Sequence, residues 1–117
     1  MSDMKIETVR SSSSGVIGRA ASVARGQELV LDSSSRPRPD ALTNSEAFLA
    51  GISSCGVTLI EMHAQEAGIP VTHLEVAIEG ARSAADPARF ARVSMTFTIT
   101  GVSQPQAEVL VETYRSR

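Results

Sequence analysis

From about Asn44 to about Gly68 the sequence reads as one long helix, and no other feature constrains the fold as much. Thr43 or Asn44 can cap its first turn, and Glu46, Glu61 and Glu66 stand among good helix formers. Gly68, with Pro70 two residues on, ends it. Roughly 23 residues give a rod of about 35 Å. Phe48, Ile52, Cys55, Leu59 and Met62 recur at helical spacing and form an apolar stripe. Leu49, Val57 and Ile60 widen it, so the first two-thirds of the helix is expected to be buried on more than one side. With 117 residues and 12.3 kDa in all, the chain has room for a single domain, residues 1–117, built around this rod.

The rest supplies strands. Lys5 to Arg10 alternates and suits an edge strand; Ser11–Gly15 reads as a turn. Gln27–Asp32 is a clear strand, and Arg25-Gly26 before it suits a hairpin turn. Residues 33–42, with Pro37 and Pro39, form a loop. After the helix, Leu74, Val76 and Ile78 alternate with His73, Glu75 and Glu79. Phe90 to Thr100 alternates likewise, so the two segments predict an antiparallel hairpin. Ser103 or Gln104 opens a last helix that buries Ala107, Leu110, Val111 and Tyr114. The order is β-β-β-α-β-β-α, an α+β domain with helices on one face of an antiparallel sheet.

Composition excludes several function classes. Aromatic residues make up 3% with no Trp, which leaves no base-stacking platform. Eleven basic against 13 acidic residues give a net charge of −2, no footprint for nucleic acid or an anionic membrane. There is no unbroken apolar run of spanning length and no secretory signal, so the expected location is cytoplasmic. One cysteine rules out an intrachain disulfide and a multi-thiolate zinc site. His63 and His73 match no metal-ligand spacing, and no phosphate loop exists, so no cofactor is expected.

Cys55 is the one residue suited to strong nucleophilic or redox chemistry. It sits in Ala50-Gly51-Ile52-Ser53-Ser54-Cys55-Gly56, where two interior glycines each cost the helix about 1 kcal/mol. Such glycines imply close approach of another helix or of a ligand. A reactive thiol needs a nearby cation or a helix N-terminus. Cys55 lies about three turns into the helix, so an arginine must serve: Arg25 or Arg19 of the first hairpin, with Glu46 available to orient it. Glu46 and Cys55 are nine positions apart, about 13 Å along the axis and on nearly opposite faces. If both serve one site, a second subunit contributes one of them.

Thr43-Asn44-Ser45-Glu46-Ala47-Phe48-Leu49-Ala50-Gly51-Ile52-Ser53-Ser54-Cys55 resembles the helical signature of the OsmC/Ohr family. Glu61-Met62, Ala67-Gly68-Ile69-Pro70, Leu74-Glu75-Val76 and the upstream Ala24 to Asp32 extend the resemblance over most of the chain. The resemblance implies an intertwined homodimer with long central helices and a thiol peroxidase acting on organic hydroperoxides. Cys55 would be the peroxidatic thiol and Arg25, by position, the cation that keeps it ionised. An external thiol or dithiol would be the reductant. Three departures stand out. The resolving cysteine, expected in a Cys-Pro motif after the last helix, is absent, and the chain reaches Arg115-Ser116-Arg117 where that C-terminal part would begin. Ser45 stands where the hydroperoxide-resistance branch has a glutamate. Arg36-Pro37-Arg38-Pro39 replaces the usual glycine pair before the helix. Either the chain is truncated or the protein lacks the resolving thiol; as it stands the expectation is a peroxidase, one-cysteine or truncated, and the alternative is an inactive dimer of the same fold that binds a small ligand or serves a structural role.

Overall fold

The computed structural model describes residues 4–116. The element order is β1 (Arg10–Ser13), β2 (Arg19–Ala24), β3 (Gln27–Asp32), α1 (Asn44–Ala67), β4 (His73–Ala81), β5 (Arg92–Thr100) and α2 (Gln104–Arg115). This is the mixed β-β-β-α-β-β-α order read from the sequence. The strands form two antiparallel sheets rather than one: β1-β2-β3 and β4-β5. The chain divides into two compact units, residues 1–48 and 49–117.

In the first unit a two-residue turn sets the register. Arg25 and Gly26 both have positive φ, +51° and +78°, which matches the right-handed twist of a hairpin. Counting outward from that turn pairs Ser22 with Leu29 and Arg19 with Asp32. The first strand departs from expectation. It lies at Arg10–Ser13, not Lys5–Arg10, and takes in serines that read as a turn. The true turn comes later, at residues 14–18, where Gly15 and Gly18 take left-handed backbone (φ +95° and +94°). That turn places Ser11 opposite Ser22, and their hydroxyls bond at 2.8 Å. Exposed serines satisfied across the ladder can replace apolar alternation on an edge.

In the second unit β4 and β5 pair without a break from His73↔Thr100 to Ala81↔Arg92. The pairs Leu74↔Ile99, Val76↔Phe97 and Ile78↔Met95 put apolar side chains opposite each other, the main source of sheet stability. The second strand starts at Arg92, two residues later than its alternation suggests, because Phe90 folds back beside Gly80 with the Arg82 guanidinium 4.2 Å from its ring centre. The core is Ile60 and Ala64 of α1, Leu74 of β4 and Leu110 of α2, with Val57, Val76, Phe97, Ile99 and Tyr114 packed around it. Tyr114 meets Phe97 edge-on at 5.6 Å. Complete burial of Ile60 and Leu110 contributes about 1.5–3 kcal/mol each. A reciprocal cap starts α2: Ser103 Oγ accepts from the Gln106 N–H at 3.3 Å, and Gln106 Oε1 accepts from the Ser103 N–H at 3.0 Å.

The orientation of α1 overturns one expectation. Its buried residues are Gly56, Ile60 and Ala64. The stripe from Phe48 to Met62 points away from that side: Phe48 is 60% exposed, Met62 58% and Leu59 41%. Phe48, Cys55, Leu59 and Met62 are thus exposed and Ile52 is half-buried, whereas Val57 and Ile60, which widen the stripe, belong to the core side. The reason lies in size: a two-stranded sheet offers one face of about helix width, and the smaller residues of the Gly56–Ala64 row fit it more closely. By length and composition alone α1 would also suffice to cross a membrane, a test that core helices of soluble proteins pass as well.

Candidate functional site

Residues 43–46 determine how the cysteine-bearing helix begins. Thr43 Oγ1 accepts from the Glu46 N–H at 3.1 Å, and Glu46 Oε1 accepts from the Thr43 N–H at 2.9 Å. This is a capping box with Thr43 as the cap. The Glu46 carboxylate, suggested by the sequence as a partner for an arginine, is engaged with the backbone. At the other end, Gly68 (φ +69°) turns the chain out, and the Ile69 N–H returns to Ala64 O at 2.9 Å.

Cys55 is free and exposed. It stands in the middle of the uncovered apolar stripe, one turn from Gly51 and one from Leu59, and its carbonyl accepts the Thr58 hydroxyl at 3.4 Å. Gly51 has nothing within 4 Å of where a Cβ would stand, so the thiol has open space beside it. Gly56, on the core side, faces Met95, Val76 and Phe97.

The two candidate arginines belong to the first unit and differ in their surroundings. Arg25 holds the first position of the β2–β3 turn in left-handed backbone, a place that favours Asn, Asp or Gly. It is exposed and helps line a concavity of about 870 Å³ with Ala24 and the Lys5–Val9 segment. Arg19 is held: its Nε donates to Asp32 Oδ2 at 2.8 Å.

Asp32 was not singled out by the sequence. It is fully buried, and it also accepts the Ser34 N–H at 3.0 Å and the Arg38 N–H at 2.9 Å. The Ser34 side chain first, then the Arg38 and Ser34 N–H groups and the Arg19 guanidinium, hold its carboxyl far below the usual carboxylate range against the opposing effect of burial. Its own N–H bonds Leu42 O at 2.9 Å, and Ser33 Oγ accepts the Asn44 N–H at 2.9 Å. The loop before α1 is therefore tied at several points. Arg38 makes a two-point pair with Asp40 through Nε and Nη2, 2.9 and 2.7 Å, which lowers the Asp40 carboxyl and raises the guanidinium. The signal for Asp32 was in the sequence: a two-residue turn at Arg25-Gly26 places it opposite Arg19.

Other features have less chemical content. An open groove of about 650 Å³ lies between β5 and α2, floored by Phe97, Ile99 and Val111. Among the described residues no three His, Cys, Asp or Glu side chains converge as a metal site.

The family model for OsmC-like proteins matches residues 37–116, more than half of the chain and all of the cysteine-bearing helix. The chain belongs to the OsmC-like family. No curated protein matches the sequence. Solved OsmC-like structures share the fold at low identity. An OsmC-like protein from Mycoplasma pneumoniae is 16% identical with a TM-score of 0.82, covering 97% of this chain and 82% of that one. An organic hydroperoxide resistance protein OsmC from Legionella pneumophila is 20% identical with a TM-score of 0.71, covering 95% and 82%. An organic hydroperoxide resistance protein from Elizabethkingia anophelis, with thiocyanate bound, is 16% identical with a TM-score of 0.73, covering 96% and 82%. At such identities the likeness is one of OsmC-like fold.

Proposed function

We propose that this OsmC-like protein is a thiol-dependent peroxidase that reduces organic hydroperoxides through Cys55. The observation that carries the reading is the exposed, unpaired thiol of Cys55, in the middle of the family's helix with free space at Gly51 beside it. Two structures of the same fold are named for organic hydroperoxide resistance, in keeping with this chemistry. The thiolate sulfur attacks the outer peroxide oxygen. An S–O bond forms, the O–O bond breaks, and the alkoxide leaves and takes a proton. The sulfur is oxidised by two electrons to a sulfenic acid and the peroxide is reduced to an alcohol. With one cysteine in the chain, an external thiol condenses with the sulfenic acid, releasing water, and a second thiol frees Cys55 by exchange.

Arg25 is assigned the role of the cation that favours the thiolate. It occupies backbone costing about 1 kcal/mol or more for a non-glycine residue, and no carboxylate bonds it among the described residues. Glu46 fixes the start of the helix that carries the thiol. The uncovered stripe of α1 suits a homodimer, and a cytoplasmic setting suits a thiol reductant.

The test is intact mass after brief exposure to cumene hydroperoxide with a sulfenic-acid trap present. A rapid single adduct, lost in Cys55→Ser, is the expected result. An unmodified native protein would refute the peroxidase and favour the ligand-binding or structural dimer. Arg25→Ala should move alkylation of Cys55 to higher pH; an unchanged profile removes Arg25 from the role.

A further inference from the structure

We propose that Gly51 is a specificity-determining residue of the Cys55 site: the hollow it leaves seats the carbon that carries the hydroperoxide and admits a fully substituted one. The inference rests on the peroxidase reading above.

Of the eight glycines in the chain, all but Gly51 have a left-handed backbone or a close neighbour. Gly15, Gly18, Gly26, Gly68 and Gly101 take positive φ. Gly56 lies against Met95, Val76 and Phe97, and at Gly80 a Cβ would run into the Phe90 ring. Gly51 lies in the interior of α1, outside the left-handed region, and nothing stands within 4 Å of where its Cβ would be. Such a glycine weakens the helix, and neither backbone conformation nor packing within the chain requires it.

What Gly51 does have is a place relative to the thiol. Helix side chains lean toward the N-terminus, so a residue covers the turn before its own. The Cys55 side chain therefore leans over the turn that holds Gly51 and Ile52, four and three positions back. Leu59, four positions on, leans toward Cys55 in the same way. The C-terminal approach to the sulfur is bordered by an isobutyl group, and the N-terminal approach runs across bare backbone.

In the peroxidase step the sulfur meets the outer peroxide oxygen in line with the O–O bond that breaks. The inner oxygen and its carbon lie beyond, on the far side from the sulfur. A near-attack contact of about 3–3.5 Å followed by the O–O bond spans close to one helical turn, about 5.4 Å. A hydroperoxide entering from the N-terminal side thus brings its carbon over Gly51. A methyl group at this position would meet the substituents on that carbon, and a carbon with three of them needs the room most.

The experiment is single-turnover oxidation of Cys55 in the full chain with two probes. Cumene hydroperoxide has a fully substituted carbon; n-hexyl hydroperoxide has a carbon that bears one chain. Gly51→Ala should lower the ratio of the two rates, cumene over hexyl, about tenfold or more, the discrimination that one methylene confers in an apolar pocket. Gly51→Ser should lower it at least as far. The urea midpoint of Gly51→Ala should rise, because alanine favours the helix and meets no neighbour. An unchanged ratio in both variants overturns the inference. So does a lower urea midpoint with an altered oligomeric state by gel filtration, which would assign the hollow to close contact between helices of two copies. If the wild-type protein reacts with neither probe, the peroxidase reading fails and this inference with it; a reactive wild type with an unchanged ratio in the variants removes Gly51 alone.

Discussion

Replacing Gly56 with alanine should stabilise the protein, although the residue is buried. In the interior of α1 glycine costs about 1 kcal/mol relative to alanine, because more backbone freedom is lost on folding. Burial is no obstacle: a methyl group at this position would meet Met95 Cε and Val76 Cγ2 at 3.5 Å and Phe97 Cε2 at 3.6 Å, ordinary contact distances. The methyl removed from water adds up to about 0.8 kcal/mol. The gain is therefore between about 1 and 2 kcal/mol, a rise in Tm of about 4–8 °C for a chain of this size. Urea unfolding followed by far-UV circular dichroism measures it, at two protein concentrations so that self-association is separated from intrinsic stability. Gly80→Ala is the internal contrast. There a Cβ would fall inside the contact radius of the Phe90 ring, and about 1–3 kcal/mol should be lost as the ring and Arg82 are displaced. A destabilised Gly56→Ala with an unchanged urea slope would refute the packing argument on that side of α1.

Two further predictions concern the polar node and the core. Asp32 is lowered in the folded state by Ser34, Arg38 and Arg19, so its contribution is present above the unfolded carboxylate pKa of about 3.9 and is lost as pH falls through the lower folded value. The stability gap between wild type and Asp32→Asn in urea should stay constant from about pH 8 to about pH 5 and narrow only below about pH 4; a gap closing near neutrality would contradict the assignment. Leu110→Ala should cost about 2–5 kcal/mol, since Leu110 is wholly buried in the core beneath α2; a loss below about 1 kcal/mol in the same assay would mean that the helix end repacks.

Local chemistry is legible where it is strong. The Thr43/Glu46 cap, the Gly68 stop and the length of α1 follow from residues within a turn or two of each other. So do the Arg25-Gly26 turn, the β4–β5 alternation and the Ser103 cap. The first strand was displaced because serine has no burial preference to reveal its pairing; the glycine-bearing turn that sets its register lies downstream of it. Asp32 was overlooked although turn geometry alone puts it opposite Arg19. Its burial is read only by following the register to the last rung and then adding the loop that closes over it.

Cys55 and its small neighbours stand out in the sequence as the candidate for chemistry, from residue type and helical spacing alone. Which side of α1 is covered was not. Periodicity marks an apolar stripe without saying what packs on it, and α1 has two rows to offer. Tertiary packing selected the row of Gly56, Ile60 and Ala64, because it lies closer to the hairpin side chains than a row led by Phe48 and Met62 would. The sequence by itself determined the bounds of both helices and the place of the Arg25-Gly26 turn, through caps, turns and stop residues that act within a few positions, but not the first strand or the start of β5. Only the folded chain decided which side of α1 turns outward with the thiol and which charges are paired. Those outcomes depend on shape and burial between segments far apart in the chain, to which no local pattern is sensitive.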